Sequence, residues 1–153
     1  MKKAHPFIWT SIVVLYISFI FFNSLTPAVQ SSKQSGTVLS MVLTMVRSIG
    51  LNGAWITEHL IRKSAHFAEY SLLGMLLWKC FQSYKLQGKI WILVQAWMTI
   101  LIPLTDETLQ LFTEGRSGQI SDVWLDDSGM IAGSLFIVGC WYLLHRKRDG
   151  QKR

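Results

Sequence analysis

The feature that most constrains this chain is the gathering of its apolar residues into blocks about as long as a membrane is thick. Residues 7–22 are apolar except for Thr10, Ser11 and Ser18. With the exit through Asn23 to Leu25, a helix of that length nearly crosses a hydrocarbon core of about 30 Å. Three more blocks, at 65–84, 90–112 and 129–144, each approach the roughly 20 residues a spanning helix needs. Half of the 153 residues are hydrophobic, and their clustering excludes a water-soluble domain. The reading is an all-α integral membrane protein with four transmembrane helices over about 7–25, 62–84, 90–112 and 127–144, forming one domain across 1–153.

Orientation follows from the basic residues. With the N-terminus inside, Lys2, Lys3, Lys79, Lys85, Lys89, Arg146, Lys147, Arg148, Lys152 and Arg153 are cytoplasmic, ten of the fifteen bases. Lys33, Arg47, Arg62, Lys63 and Arg116 remain on the other side. Basic residues in short loops stay in the cytoplasm, so both termini are expected there. Bases that flank spans in this way serve topology, and no nucleic-acid partner is expected. The acids divide more sharply, for only Asp149 of nine is cytoplasmic. Acids contribute little to orientation, so their clustering needs another cause.

Between the first two blocks, Val38, Leu39, Met41, Val42, Met45, Val46 and Ile49 recur among Ser40, Thr44, Arg47 and Ser48. That pattern predicts a helix over about 37–51, too short to span and suited to lying in the outer interface as an anchor or a lid. Cys80 and Cys140 fall inside apolar blocks at no spacing typical of a disulfide or zinc site, and read as packing residues.

The chemistry is concentrated in three polar segments. At the outer start of the second span, Arg62, His66, Glu69 and Tyr70 share a helical face, with Lys63 beside them. Near the outer end of the third, Asp106 and Gln110 lie one turn apart, next to Glu107 and after Pro103, which interrupts the backbone hydrogen bonding. The loop 114–119 carries Arg116 and leads to Ser121, read as a helix N-cap. Asp122, Asp126, Gly129 and Gly133 follow on one face, the glycines suited to close helix approach. Ionisable side chains at membrane depth are costly unless they pair or line a wet cavity. One outward-facing polar pocket is therefore expected.

These same segments, 62–70, 106–112 and 115–129, resemble the motifs of the VanZ-like family, whose Lys-x-x-His-Phe-x-Glu-Tyr pattern is met at positions 63 to 70. The resemblance covers most of the chain. It implies a bacterial plasma membrane and, for some members, resistance to teicoplanin-type lipoglycopeptides without resistance to vancomycin. Asp126 and Asp127 stand together where the family has a single Asp followed by Thr, or an Asn-Thr pair. The resemblance thus leaves the inward-facing aspartate open, and helical spacing favours Asp126.

Two functions are expected from these residues. In the first, Arg62, Lys63 and Arg116 hold the phosphate of a lipid-linked cell-wall precursor, or the pocket takes a lipoglycopeptide, while Glu107, Gln110, Asp122 and Asp126 complete the binding set. In the second, His66, Glu69 and Asp106 carry acid–base or nucleophilic catalysis on a lipid-linked phosphate or acyl substrate. Neither a serine elbow, a P-loop nor a His-Glu-x-x-His motif occurs. No metal or other cofactor is expected, membrane lipids are the expected surroundings, and oligomeric state is left open.

Overall fold

The computed structural model describes residues 5–85 and 89–150, apart from the side chains of 145 and 147–150. Lys2, Lys3, Lys152 and Arg153, and the side chains of Lys147, Arg148 and Asp149, which entered the orientation argument, lie outside what is described. The described residues form five helices in the order α1 (Pro6–Ser24), α2 (Ala28–Ser48), α3 (Glu58–Ser83), α4 (Lys89–Gln110) and α5 (Ile120–Gly150).

Three helical stretches are long and apolar enough to cross a membrane: Pro6–Ser24, Lys89–Gln110 and Ile120–Leu144. The fourth expected span, α3, is not among them, because Glu58, His59, Arg62, Lys63, His66 and Glu69 load its first half with polar groups. Its position compensates. It packs most extensively against α5 and also touches α1, α2 and α4, and Tyr70, Leu73, Leu77 and Cys80 put it at the centre of the apolar core. The outer surface is apolar instead: Phe7, Leu15, Trp97, Trp124 and Leu135 are well exposed while Asp106 and Asp126 are fully buried. That distribution inverts the pattern of a water-soluble protein.

The α3–α5 contact rests on glycine. A Cβ on Gly133 would collide with the Ser71 carbonyl group, one on Gly129 would come within 2.7 Å of the Phe67 carbonyl oxygen, and one on Gly74 would strike the Met130 carbonyl oxygen. Removing side chains at these crossings lets two backbones approach closely. Gln95 on α4 ties into the same contact, donating to the Ser134 hydroxyl at 3.1 Å, and Ser134 donates to the Gly74 carbonyl at 3.3 Å.

Leaving α2 aside, α1, α3, α4 and α5 alternate in direction, as the Thr10–Tyr84, Asn23–Glu69, Lys63–Asp122 and Gln95–Ser134 pairs require. The chain therefore brings the C-terminal ends of α1 and α4 to the same end of the bundle as the N-terminal halves of α3 and α5. Thr113 donates to the Ser24 carbonyl at this end, and Thr10 and Tyr84 pair at the other at 2.8 Å.

Two helix starts are instructive where they differ from expectation. The helix expected at 37–51 begins at Ala28, directly after Pro27. Its first turns carry Gln30, Ser31, Ser32, Lys33, Gln34 and Ser35, so no apolar stripe marked them as helix, whereas Pro27 has a backbone suited to preceding one. The last helix begins at Ile120, so Ser121, expected as its cap, is inside it. The Gln119 carbonyl accepts from the Asp122 N–H at 2.9 Å and so starts the helix slightly early.

Candidate functional site: a cationic pocket above buried carboxylates

The polar face of α3 opens on two adjoining cavities. One, of about 110 Å³, is lined by Arg62, Lys63, His66, Gln110, Arg116, Asp122 and Asp126 among others. The second, of about 450 Å³, lies between α3 and the α1–α2 junction and shares Arg62, His66 and Arg116 with the first, adding Glu69. Residues from four separate segments of the sequence thus meet at one end of the bundle.

Each side chain is held by its own helix. Thr57 caps α3, accepting the Leu60 N–H at 3.2 Å, and from that start Arg62, His66 and Glu69 fall on successive turns. Lys63 forms an ion pair with Asp122 at 2.7 Å, linking α3 to α5. Glu69 is reached by the Asn23 amide at 3.4 Å, and its backbone carbonyl accepts the Tyr16 hydroxyl at 3.2 Å. Asp106 accepts from Gln110 at 3.4 Å, as their one-turn spacing predicts.

Arg116 reaches the cavity from a tight loop. Gly115 adopts φ +70°, a left-handed turn that side-chain-bearing residues rarely take. The Arg116 N–H then bonds the Thr113 carbonyl at 3.1 Å, and the Ala28 N–H bonds the Glu114 carbonyl at 3.1 Å, fastening this loop to the start of α2. Burial draws the Arg116 guanidinium below its ordinary value, and the like charge of Arg62 lowers it further. Among the described residues, neither Arg62 nor Arg116 has a carboxylate within ion-pair distance.

Glu107 has a different setting from the one expected. Its carboxylate accepts the Gln119 N–H at 2.9 Å and the Gln110 amide at 3.1 Å. It braces the loop that carries Arg116, and it lines neither cavity.

Beneath the smaller cavity, which His66 and Asp126 line and the fully buried Asp106 does not, these three converge from three helices, with one potential ligand atom of each within 4.8 Å of the others. His66 Nδ1 lies 3.6 Å from Asp126 Oδ1, too far for a good hydrogen bond. Asp126 is the aspartate that faces this cluster; Asp127, one residue on, lines a separate apolar groove with Trp91 and Trp124.

Sequence reasoning missed Asn23, Ser31 and Gln34, which line the larger cavity, and His59 and Gln119, which line the smaller. Asn23 closes an apolar helix and the others sit in polar stretches without periodicity, so nothing local marks them. A family model described as VanZ/LLP1 matches residues 7–144. No curated protein and no solved structure matches the chain.

Proposed function

The chain belongs to the VanZ/LLP1 family, and from that premise we propose that it is a multi-pass protein of the bacterial plasma membrane whose outward pocket binds the phosphate-bearing headgroup of a lipid-linked envelope precursor. In this reading α1, α3, α4 and α5 span the bilayer, with α3 sheltered at the centre of the bundle. Helix α2 lies along the outer interface, where its apolar stripe of Val38, Met41, Met45 and Ile49, exposed throughout, meets lipid. Both termini are cytoplasmic, in keeping with the distribution of bases.

The observation that carries the proposal is the pairing of two half-buried guanidiniums, Arg62 and Arg116, around one cavity without carboxylate partners. Like charges held together at a membrane surface favour an anion between them, and guanidinium geometry matches phosphate oxygens bidentately. Lys63 is held in the same cavity by Asp122. The larger cavity opens toward α2 through Gln34, Ser35 and Val38, which suits a ligand whose headgroup is polar and whose tail stays in the membrane.

The test is binding of the detergent-solubilised protein to nanodiscs containing a polyprenyl phosphate, against discs of zwitterionic lipid alone. A hydrogen bond to a charged group contributes about 1.5–3 kcal/mol, so Arg116→Ala and Arg62→Ala should each weaken binding by about 10- to 150-fold. Unchanged affinity in both variants would remove the proposal. In cells, the same pocket is expected to lower susceptibility to teicoplanin and not to vancomycin, and Arg116→Ala at matched membrane levels is expected to abolish that protection.

A second reading draws on the cluster beneath the cations. His66, Glu69 and Asp106 lie where a bound headgroup would be processed, as a small membrane hydrolase or transferase requires. Release of phosphate from a polyprenyl pyrophosphate, lost in His66→Gln while binding persists, would favour it over binding alone.

A further inference from the structure

Burying a carboxylate in a helix bundle is costly unless the charge is compensated. Asp106 and Asp126 are both fully buried and close together. Asp106 Oδ1, both oxygens of Asp126 and His66 Nδ1 are buried without a hydrogen-bond partner. The lysine and arginines nearby do not supply the compensation: Lys63 is taken by Asp122 at 2.7 Å, neither arginine forms an ion pair with either acid, and His66, 3.6 Å from Asp126, pairs with it only when protonated. Three side chains from three helices, each with at least one buried and orphaned polar atom, therefore meet with one potential ligand atom of each within 4.8 Å of the others.

We propose that His66, Asp106 and Asp126 together hold one divalent cation at the floor of the pocket. One imidazole and two carboxylates form a mixed donor set that suits Zn2+ or Mn2+ better than Ca2+ or Mg2+, which favour oxygen ligands alone. Ligand bonds to zinc run about 2.0–2.2 Å, so atoms now within 4.8 Å of one another need to draw in by about an ångström. Gln110, donating to Asp106 Oδ2, orients that carboxylate from the side, as supporting groups commonly do around metal ligands.

Three protein ligands leave a coordination position free, the arrangement of sites that bind a substrate oxygen rather than serve structure. His66 and Asp126 both line the smaller cavity, so that position faces Arg62 and Arg116. A phosphate oxygen bridging the cation and the guanidiniums completes the arrangement, and this bridge, though not the cation site, rests on the function proposed above. The three ligands lie on three helices at separations of 40 and 20 residues (106 − 66 and 126 − 106), which is why no metal motif appears along the chain.

The experiment strips the tag-free, full-length protein with EDTA, dialyses it against Zn2+ or Mn2+, and measures bound metal by mass spectrometry alongside the thermal midpoint. One equivalent per chain and a raised midpoint are expected for one of these ions. Changing even a supporting group around a metal costs about 10- to 100-fold in affinity, so Asp126→Asn and Asp106→Asn should each lose at least about 100-fold. Asp122→Asn, an acid at the pocket mouth, should retain the metal. Cobalt substitution supplies a readout in the parent protein alone, since ligation by His66 and the two aspartates gives visible absorption bands that free cobalt in the same buffer lacks. Less than stoichiometric metal in the parent, or equal loading in the Asp106→Asn, Asp126→Asn double variant, overturns the inference. If the parent takes up no metal while polyprenyl phosphate binding still depends on Arg62 and Arg116, only the cation site falls; if the cation binds while the arginines are irrelevant, only the phosphate reading falls.

Discussion

Gly133→Ala tests whether the close crossing of α3 and α5 sets the spacing of the site. The new Cβ would lie 2.6 Å from the Ser71 carbonyl carbon and 2.8 Å from its Cα, with the carbonyl oxygen nearer still, whereas ordinary contact begins at 3.4 Å. Backbone cannot swing aside as a side-chain end can, so the helices must part locally by roughly an ångström in a tightly packed interior. Overpacking of this kind costs about 1–3 kcal/mol, against which alanine returns about 1 kcal/mol of helix propensity. Gly139 lies on the same helix with nothing within 4 Å of its Cβ position, so Gly139→Ala gains propensity without the clash. The difference between the two variants therefore isolates the steric cost of about 1–3 kcal/mol. At about 2–4 °C per kcal/mol for a chain of this size, Gly133→Ala should melt roughly 2–12 °C below Gly139→Ala in detergent. Ser71 is five residues from His66 and Gly133 seven from Asp126, so the same separation should open the 3.6 Å approach of His66 to Asp126 and weaken polyprenyl phosphate binding. Equal melting temperatures for the two alanines would refute the argument that this contact is held by backbone proximity.

Glu107→Ala leaves the Gln119 N–H without its acceptor at a half-buried position; a lost partner there costs about 1–3 kcal/mol, and the loop around Arg116 should become the first site of limited proteolysis, with unchanged cleavage showing that Glu107 does not brace it. Orientation is read by thiol labelling in a background in which Cys80 and Cys140 are replaced. A cysteine at Ser117, which is exposed, should react with an impermeant reagent in intact cells and one at Gln82, exposed at the opposite end, should not; the reverse pattern would invert the topology.

Side-chain periodicity along the chain accounts for much of this protein, because it reports which residues share one face of one helix. Arg62, His66 and Glu69 line the cavities together, Asp106 bonds Gln110, and Gly129 and Gly133 carry a close helix crossing; each relation lies within a single element and a few turns. The apolar blocks likewise determine three helices able to cross a membrane, since length and composition suffice for that. Helix α3 shows the limit of composition: its polar half is accommodated only because other helices surround it.

What only the tertiary structure decided are the relations between elements. That Asp106 meets Asp126 and His66 depends on how α3, α4 and α5 rotate about their axes, which rests on the glycine contacts between α3 and α5 and on the Gln95–Ser134 bond of α4, and not on any spacing along the chain. The same holds for Lys63 with Asp122 and Asn23 with Glu69, pairs 59 and 46 residues apart. Glu107 has the composition of a site residue, but its position on α4 turns its carboxylate to the loop. The early starts of α2 and α5 belong here too, because Ala28 and Gln119 are held by long-range bonds to Glu114 and Glu107 that no local pattern encodes.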